Sequence, residues 1–391
     1  MKNSLQNFLN PKSIAVIGAS ENPKKVGGIL IEKLKQFKGK IIPINPKPKK
    51  IQNLKCYPSI LDYRKKIDLA IIAIPSKFVN KILIQCGKKK IKSVIIISAG
   101  FAETGKIKLQ NQILKTAKKF KIRILGPNCF GIANPRLNLD TTFANSSPKK
   151  GNITFLSQSG ALWSYIADLD IGFSGFVSLG NMTDLSFSDF IEYFNKDKNT
   201  KKIILYIEKI KKGKRFIEAC LRSKKEIYVI KAGKSKKSSE QTISHTASLA
   251  TDFRIYSGIF KQAKVKQVNT LTEALNLKPE EINFKIKKAN IITNAGGAAA
   301  LITDLCEKKK IKINQIKDIL GTATSEDYKK AISKTKKPII LILTPQKMSQ
   351  PLETAKLVSK DIFPIFLGKK SISKAKDYLN NKSIKILTRV C

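Results

Sequence analysis

The feature that most constrains the fold is a regular alternation of short β-branched runs with longer amphipathic segments along almost the whole chain. Residues 13–17, 69–74 and 94–97 consist mainly of Ile, Val, Leu and Ala, and each run ends in a turn signal. Continuous apolar strands separated by helices are typical of parallel sheets that are covered on both faces. We therefore predict an α/β protein.

The length of 391 residues predicts more than one domain, because single hydrophobic cores stop growing below this size. The polar stretch 145–151 is predicted to be a linker, and a second break is expected near Pro279. Residues 153–161 can be laid over residues 290–298, since each segment is a strand that leads through small residues into a helix. We predict a nucleotide-binding domain at 1–144 and two related doubly wound domains at 145–278 and 279–391.

The formal net charge is +47, from 75 Lys and Arg against 28 Asp and Glu. The lysines recur as short runs throughout the chain, without a basic tail or an aromatic and basic stripe that stacks bases. We therefore favour a compositional bias over a nucleic-acid surface and expect no nucleic-acid partner. The diffuse positive field would still attract polyanions or an acidic protein partner.

The remaining composition predicts a cytoplasmic protein. No apolar run reaches the roughly 18 residues of a membrane span, and the first residues lack the apolar stretch of a secretory signal. The six cysteines are scattered, which argues against a zinc site or a disulfide framework.

A phosphate-binding turn is predicted where the first strand gives way to a helix, at Gly18-Ala19-Ser20. The dinucleotide fingerprint is absent, because Ser20 replaces its second glycine, so NAD is disfavoured and another phosphorylated nucleotide is not. Lys47 follows the second strand, about where such folds meet the ribose of a nucleotide. A cation there suits the sugar phosphate of CoA or NADP; the alternative is a solvent-exposed lysine.

Two further strand ends lie at the same predicted sheet edge, Ser98-Ala99 and the segment that contains Asn128 and Cys129. Cys129 either lies near a reactive thioester or is a small buried filler. Ser159-Gly160-Ala161 forms a second strand-to-helix turn, whose free N–H groups and helix dipole favour a phosphoryl group. Asp184 either positions a metal or caps a helix, and capping is the favoured interpretation.

His245 is the only histidine, so a metal site with several histidines is excluded. A single neutral imidazole can accept a phosphoryl group, because its ring nitrogen is nucleophilic at neutral pH. Such a histidine needs a partner on its other nitrogen. Glu208 follows a buried strand and is the candidate partner. The alternative is a structural or exposed histidine.

Taken together in chain order, these motifs resemble one family. They look like the α part of ADP-forming acetyl-CoA synthetases, which are relatives of succinyl-CoA synthetase α subunits. The segments that carry the resemblance are 13–20, 44–47, 126–129, 157–161, 231–235 and 244–246, with 293–297 and 321–324 matching the extra α domain of the ADP-forming enzymes. The resemblance implies a Rossmann-like CoA-binding domain followed by two flavodoxin-like doubly wound parallel-sheet domains, the second of them abridged.

The resemblance also implies a reaction, acetyl-CoA, phosphate and ADP giving acetate, ATP and CoA, through an acyl phosphate and a phosphorylated histidine. It implies no metal ligand in this chain. The roles that it assigns are catalysis for His245 and Glu208, CoA binding for Gly18, Ala19, Ser20, Lys47, Ser98, Ala99, Asn128 and Cys129, and phosphate binding for Ser159, Gly160 and Ala161.

The 391 residues contain no recognisable ATP-grasp region, so we expect an ATP-grasp β subunit, in an α2β2 hetero-oligomer, that binds ADP or ATP and Mg²⁺. Two residues depart from the family pattern, Ala247 and Thr251, which stand where the family has glycine. If those positions need the freedom of glycine, activity suffers. This supports an alternative function, a non-catalytic regulatory protein that binds CoA or acyl-CoA.

Overall fold

The computed structural model describes residues 2–234 and 253–390. Within these ranges the apolar runs form three main sheets, and a two-stranded hairpin lies beside the first of them. His245, Ala247 and Thr251 lie outside the described residues. No helix in the described part of the chain is long and apolar enough to cross a membrane.

The first sheet has the strand order β2-β1-β5-β6-β7, and each pair is parallel, whereas β3 and β4 form the hairpin. Its strands are β1 (Ser13–Ile17), β2 (Lys40–Ile44), β3 (Lys50–Ile51), β4 (Leu54–Lys55), β5 (Leu69–Ile72), β6 (Ser93–Ile96) and β7 (Arg123–Leu125). The helices are α1 (Lys2–Leu9), α2 (Val26–Leu34), α3 (Ser76–Lys88) and α4 (Ile107–Phe120). The winding reverses beside β1, and ligands bind at such switch points.

The second sheet has the order β14-β13-β12-β10-β11-β8-β9. Its strands are β8 (Ile132–Asn134), β9 (Leu139–Asp140), β10 (Lys149–Ser157), β11 (Gly172–Ser178), β12 (Lys202–Ile207), β13 (Glu226–Lys231) and β14 (Lys266–Val268). Its helices are α5 (Ala161–Asp168), α6 (Phe187–Lys196), α7 (Gly213–Leu221), α8 (Phe253–Gln262) and α9 (Leu271–Ala274). The five strands from β10 to β14 are parallel, and β8 and β9 add an antiparallel edge.

The third sheet has the order β16-β15-β17-β18 and is parallel throughout. Its strands are β15 (Lys288–Thr293), β16 (Lys312–Asp318), β17 (Ile339–Leu343) and β18 (Ile362–Phe366). Its helices are α10 (Gly296–Lys308), α11 (Ser325–Ser333), α12 (Pro351–Ala355) and α13 (Ser373–Asn381). In all three sheets the second parallel strand lies on one side of the first and the third on the other. The predicted α/β class with doubly wound parallel sheets is confirmed.

The second and third sheets begin with the same hydrogen bonds, but the register predicted from the sequence is wrong by one residue. The hydroxyl of Ser157, the last residue of β10, donates to the carbonyl of Ser159 at 2.6 Å, and the hydroxyl of Thr293, the last residue of β15, donates to the carbonyl of Ala295 at 3.2 Å. Ser157 therefore corresponds to Thr293, whereas the sequence overlay placed it on Asn294. Strand ends, rather than the position of the small residues, set the register.

The boundary between the first and second predicted domains differs from the expectation in two places. Residues 149–151, predicted as the end of a linker, are the first residues of β10. The short strands β8 and β9 precede residue 144 in the chain yet pair with the second sheet through β11. The division at 144 and 278 remains a prediction.

Helix α5 is packed between the second and third sheets. Every residue from Leu162 to Asp168 is buried, and its neighbour across the interface is α10. At its end the carboxylate of Asp168 accepts hydrogen bonds from the N–H groups of Lys369 (2.7 Å) and Ser371 (3.0 Å) and from the hydroxyl of Ser146 (2.5 Å). One buried carboxylate thus fastens the third sheet to the second.

Gly18, at the carboxyl end of β1, has φ +89°, and a Cβ there would lie 2.4 Å from the carbonyl oxygen of Ala73. Gly105 has a similar φ of +79°, but a Cβ there would meet nothing within 4 Å. The two glycines therefore separate the cost of the backbone conformation from the cost of the close contact.

Gly18→Ala should lower the free energy of unfolding by more than about 1–3 kcal/mol, because steric overlap adds to the strained backbone conformation. Gly105→Ala should cost only about 1–2 kcal/mol, the price of the left-handed conformation alone. Urea unfolding of both variants measures the difference. Equal losses would mean that the contact with Ala73 is relieved by a small shift.

Candidate active site

The turn after β1 and the turn after β2 are joined by a side chain that the sequence interpretation passed over. The Asn45 amide donates to the carbonyl of Ala19 at 2.9 Å, and its oxygen accepts from the N–H of Lys47 at 3.1 Å. Ser20 is half-buried and Lys47 is exposed. In the motif that contains Asn45, only the lysine was predicted to bind a ligand. Asn45 therefore holds the predicted phosphate turn and the predicted cation at one edge of the sheet.

The ends of β6 and β7 lie at the same edge. The hydroxyl of Ser98 is buried and accepts from the N–H of Ile74 at 3.2 Å, and the carbonyl of Ser98 accepts from the N–H of Asn128 at 3.0 Å. Ala99 is exposed beside them. The structure thus brings together the segments predicted to bind CoA, with Ser98 joining adjacent strand ends.

Cys129 lies at this edge, but its thiol points into the core. The residue is 4% exposed, and Sγ donates to the carbonyl of Ile96 at 3.2 Å. Burial raises the pKa of the thiol to about 12, so it carries no thiolate at neutral pH. These observations favour the buried filler over a thiol that reacts with a thioester. Contact of residue 129 with CoA remains a prediction.

The loop that follows β7 packs directly on the second sheet. The N–H of Phe130 donates to the hydroxyl of Ser178 at 2.8 Å. Gly160, at the start of α5, lies so close to Phe130 that a Cβ on residue 160 would be 2.2 Å from the Phe130 Cβ. The predicted CoA loop therefore abuts the predicted phosphate-binding helix start.

The start of α5 has the geometry of an anion site. Ser159, Gly160 and Ala161 are half-buried, and the capping residue, Gly160, has no side chain that could accept a hydrogen bond from the first N–H groups of the helix. Those donors, together with the positive end of the helix dipole, favour a phosphoryl group. Helix α10 also lies close to this sheet edge, because the carbonyl of its Gly297 accepts a hydrogen bond from the hydroxyl of Tyr206 on β12 at 3.1 Å.

Glu208 stands at the end of β12, on the strand next to β10. Its N–H and that of Lys209 both donate to the side-chain oxygen of Gln158 at 2.7 Å. Asn294 makes the equivalent bond in the third sheet, accepting from the N–H of Thr344 at 2.9 Å. The side-chain amide of Gln158 therefore fixes the backbone of Glu208 beside the start of α5, and the residue itself is half-buried.

His245 lies outside the described residues, and Lys234 and Phe253 are the described residues on either side of its segment. Lys234 follows β13, and its ammonium lies 5.4 Å from the ring centre of Phe253, the first described residue after the gap. Because β13 is paired with β12, Lys234 lies at the sheet edge that carries Glu208, and the ring of Phe253 lies near it. A contact between His245 and Glu208 remains a prediction.

Asp184 does not cap a helix, since the helix that follows, α6, is capped by Ser186, and its carboxylate is instead paired with an arginine. Its carboxylate accepts from the Arg123 side chain at 2.8 Å and from the N–H of Ile124 at 2.9 Å, so it ties the second sheet to β7. Within residues 2–234 and 253–390 no group of three or more His, Cys, Asp or Glu side chains is arranged to hold a metal ion.

Comparisons with known protein families match two parts of the chain. Residues 12–135 match a CoA binding domain, and residues 150–278 match a succinyl-CoA ligase like flavodoxin domain. The first match contains the edge formed by β1, β6 and β7, and the second contains the start of α5, Glu208 and His245.

Individual relatives give the same result. The alpha subunit of acetate–CoA ligase [ADP-forming] II from Pyrococcus furiosus is 43% identical over 80% of this chain and 71% of its own length. An acetate–CoA ligase [ADP-forming] from Methanocaldococcus jannaschii is 44% identical, and this chain spans 44% of its length. A dinucleotide-forming acetyl-coenzyme A synthetase 1 from Ca. Korarchaeum cryptofilum, solved with phosphate and ADP, is 30% identical and superposes with a TM-score of 0.67 over 98% of this chain and 93% of that chain. This chain belongs to the family of ADP-forming acetate–CoA ligase alpha subunits.

Proposed function

We propose that this chain is the catalytic α subunit of an NDP-forming acyl-CoA synthetase that converts acetyl-CoA, phosphate and ADP into acetate, ATP and CoA. One observation carries the proposal: Phe130, in the predicted CoA loop, lies against Gly160 at the predicted phosphate site, with Glu208 on a neighbouring strand of the same sheet. A thioester and a phosphate bound at these two places would meet.

The CoA site rests on the carboxyl edge of the first sheet. Its residues are the turn at Gly18, Ala19 and Ser20 for phosphate, Lys47 for the sugar phosphate, and Ser98, Ala99, Asn128 and Cys129 along the neighbouring strand ends. The N–H groups of the turn and the ammonium of Lys47 supply positive potential without enclosing the nucleotide. The alignment of this edge with the start of α5 directs the thioester end toward the second sheet.

The chemistry follows from the second sheet. A phosphate oxygen attacks the thioester carbonyl, the C–S bond breaks, and CoA leaves while an acyl phosphate forms. A ring nitrogen of His245 then attacks phosphorus, the P–O bond to the acyl group breaks, and acetate leaves. The N–H groups at Ser159, Gly160 and Ala161 bind the phosphoryl oxygens, and the Glu208 carboxylate balances the positive imidazole through its other nitrogen. The phosphoryl group finally passes to ADP.

In this proposal the acceptor nucleotide, ADP, binds to a second subunit. The Pyrococcus relative is named as an alpha subunit, which supports a partner subunit, and we assign to an ATP-grasp β subunit the binding of ADP or ATP and Mg²⁺. An α2β2 assembly in the cytoplasm and domains at 1–144, 145–278 and 279–391 complete the proposal. The charge of +47 favours an acidic partner, whose association would weaken as salt screens exposed charges.

A regulatory protein that binds CoA or acyl-CoA without turnover is the second candidate. It is favoured by Ala247 and Thr251, which replace glycines of the family pattern next to His245. Labelling of His245, described below, separates the two candidates.

Lys47→Ala should weaken CoA binding about tenfold, the scale of one charge-assisted contact to phosphate. Lys49→Ala is the matched control, since Lys49 is also exposed and its loss changes the net charge equally. Calorimetry at fixed salt measures both. If both variants bind CoA equally well, Lys47 acts only through the general field.

With the partner subunit and labelled ATP, the chain should acquire an acid-labile, alkali-stable label at His245, because the product is a phosphoramidate. His245→Asn should remain unlabelled. The purified chain without partner should bind CoA but make no ATP. Label that persists in His245→Asn would identify another carrier, and a wild-type chain that binds CoA but stays unlabelled with its partner would favour the regulatory protein.

Glu208→Gln should slow turnover about 10- to 100-fold, the scale for partners that orient a metal-bound histidine, because an amide cannot balance the charged imidazole. The fold should be retained, since Gln158 holds the backbone N–H of Glu208 and glutamine has nearly the shape of glutamate. Steady-state rates and urea unfolding test the two statements. Wild-type turnover would reduce Glu208 to a strand-end residue.

A further inference from the structure

A loop of the second sheet runs along the predicted CoA edge and has no part in the chemistry above. This β11 loop, residues 179–186, connects β11 with α6. The N–H of Asn181 donates to the carbonyl of Pro127 at 2.9 Å, and its side-chain oxygen accepts from the amide of Asn128 at 3.4 Å. The β11 loop is therefore bonded to the β7 loop, residues 126–131, which follows β7.

The side chain of Asn181 also binds a second loop of the first sheet, through a carboxylate. Its amide donates to one oxygen of Glu103 at 2.6 Å. The other oxygen of Glu103 accepts from the N–H groups of Gly100 at 2.6 Å and Phe101 at 3.1 Å. Glu103 thereby connects Asn181 to the β6 loop, residues 97–101, which contains two residues predicted to bind CoA.

One asparagine of the second sheet is thus bonded to both loops, and further contacts fix its position. Asn181 and Glu103 are half-buried, and the side-chain oxygen of Gln110 on α4 accepts a second hydrogen bond from the Asn181 amide at 2.8 Å. From the other side, the ammonium of Lys211 donates to the carbonyls of Asn181 at 2.8 Å and Met182 at 2.7 Å. Both the backbone and the side chain of Asn181 are therefore held in one place.

The ordinary explanation of these contacts is that they only join the first and second sheets. Another contact of the β11 loop already does so, the ion pair between Asp184 and Arg123 at 2.8 Å. Because Arg123 is the first residue of β7, that ion pair lies at the amino ends of the strands. Asn181 and Glu103 instead meet at the carboxyl ends, between the two loops predicted to bind CoA. This placement favours a role directed at the ligand.

We propose that Asn181 and Glu103 are positioning residues whose hydrogen bond holds the β6 loop and the β7 loop at the spacing that binds CoA. The proposal rests on the proposed function, because it assumes that these two loops bind CoA. The second sheet then contributes to CoA affinity without supplying a CoA ligand of its own.

The first experiment measures the Kd of CoA for the full chain by calorimetry at fixed salt. Glu103→Gln places an NH2 group against that of Asn181, and Asn181→Asp places a carboxylate against that of Glu103. Each variant should bind CoA about tenfold more weakly, the scale of one hydrogen bond to a charged group. The two substitutions together exchange donor and acceptor at unchanged net charge, so the double variant should bind CoA within about twofold of the wild type.

Asp184→Asn is the matched control. It removes one negative charge, as Glu103→Gln does, and it weakens the other contact between the same two sheets. We expect a lower Tm and an unchanged Kd of CoA. Loss of a negative charge favours a polyanion through the general field, so weaker CoA binding by Glu103→Gln cannot result from the net charge.

The second experiment measures steady-state rates with the partner subunit present. Glu103→Gln should raise the KM for acetyl-CoA about tenfold and leave kcat and the KM for phosphate unchanged, because the lost bond acts on the CoA loops alone. A fall in kcat at an unchanged KM for acetyl-CoA would overturn the inference, since the residue would then act on the reaction and not on CoA binding.

Three results of the calorimetry overturn the inference and leave the proposed function intact. They are wild-type affinity in both single variants, a double variant that binds no better than the single ones, and a loss in Asp184→Asn as large as that in Glu103→Gln. If a single variant fails to fold, the double variant still decides, because it keeps the hydrogen bond and must bind CoA like the wild type. A wild-type chain that binds no CoA would instead refute the proposed function, and the inference with it.

Discussion

The candidate site depends on how a side-chain amide bridges two strand ends in the second and third sheets. In each of these sheets the two strands that follow the first parallel strand lie on opposite sides of it. Backbone N–H groups just beyond the strand ends therefore need a partner other than the next residue of the ladder. In the second sheet the amide of Gln158 is this partner for the N–H groups of Glu208 and Lys209, and in the third the amide of Asn294 is the partner for Thr344. The same device that completes the fold thereby sets the position of Glu208.

The alternation of apolar runs was sufficient to predict the fold class, because parallel strands buried on both faces leave a continuous pattern in the sequence. Motifs at strand ends were equally visible, because a turn from strand to helix needs small residues wherever backbone approaches backbone closely. The edge strands β8 and β9 were not found, since strands of two or three residues carry too little pattern to be distinguished from loops.

Other features required coordinates, because they depend on contacts between residues far apart in the chain. The orientation of the Cys129 thiol is set by its hydrogen bond to the carbonyl of Ile96, and the ion pair between Arg123 and Asp184 joins two different sheets. The burial of Lys231, the last residue of β13, could not be predicted either. In a chain with 75 Lys and Arg, one buried lysine has no distinguishing signal in the sequence. The alignment of residues 153–161 with residues 290–298 was wrong by one residue. It was based on the glycines, which the sequence shows, and not on the strand ends, which it does not show.

The burial of helix α5 shows how the third sheet constrains the sequence of the second. A helix at the surface of a doubly wound sheet keeps a polar stripe toward water, but α5 is enclosed from Leu162 to Asp168 and includes Trp163 and Tyr165. Trp163 stacks on Phe176 of β11, with 4.1 Å between the ring centres, so it is buried by the second sheet itself. A chain of the same family that ended after the second sheet would instead expose the side of α5 that faces α10, and the Asp168 carboxylate would lose its donors from residues 369 and 371. A helix at the position of α5 that lacks a polar stripe therefore indicates, in a related sequence, that a further part of the chain covers it.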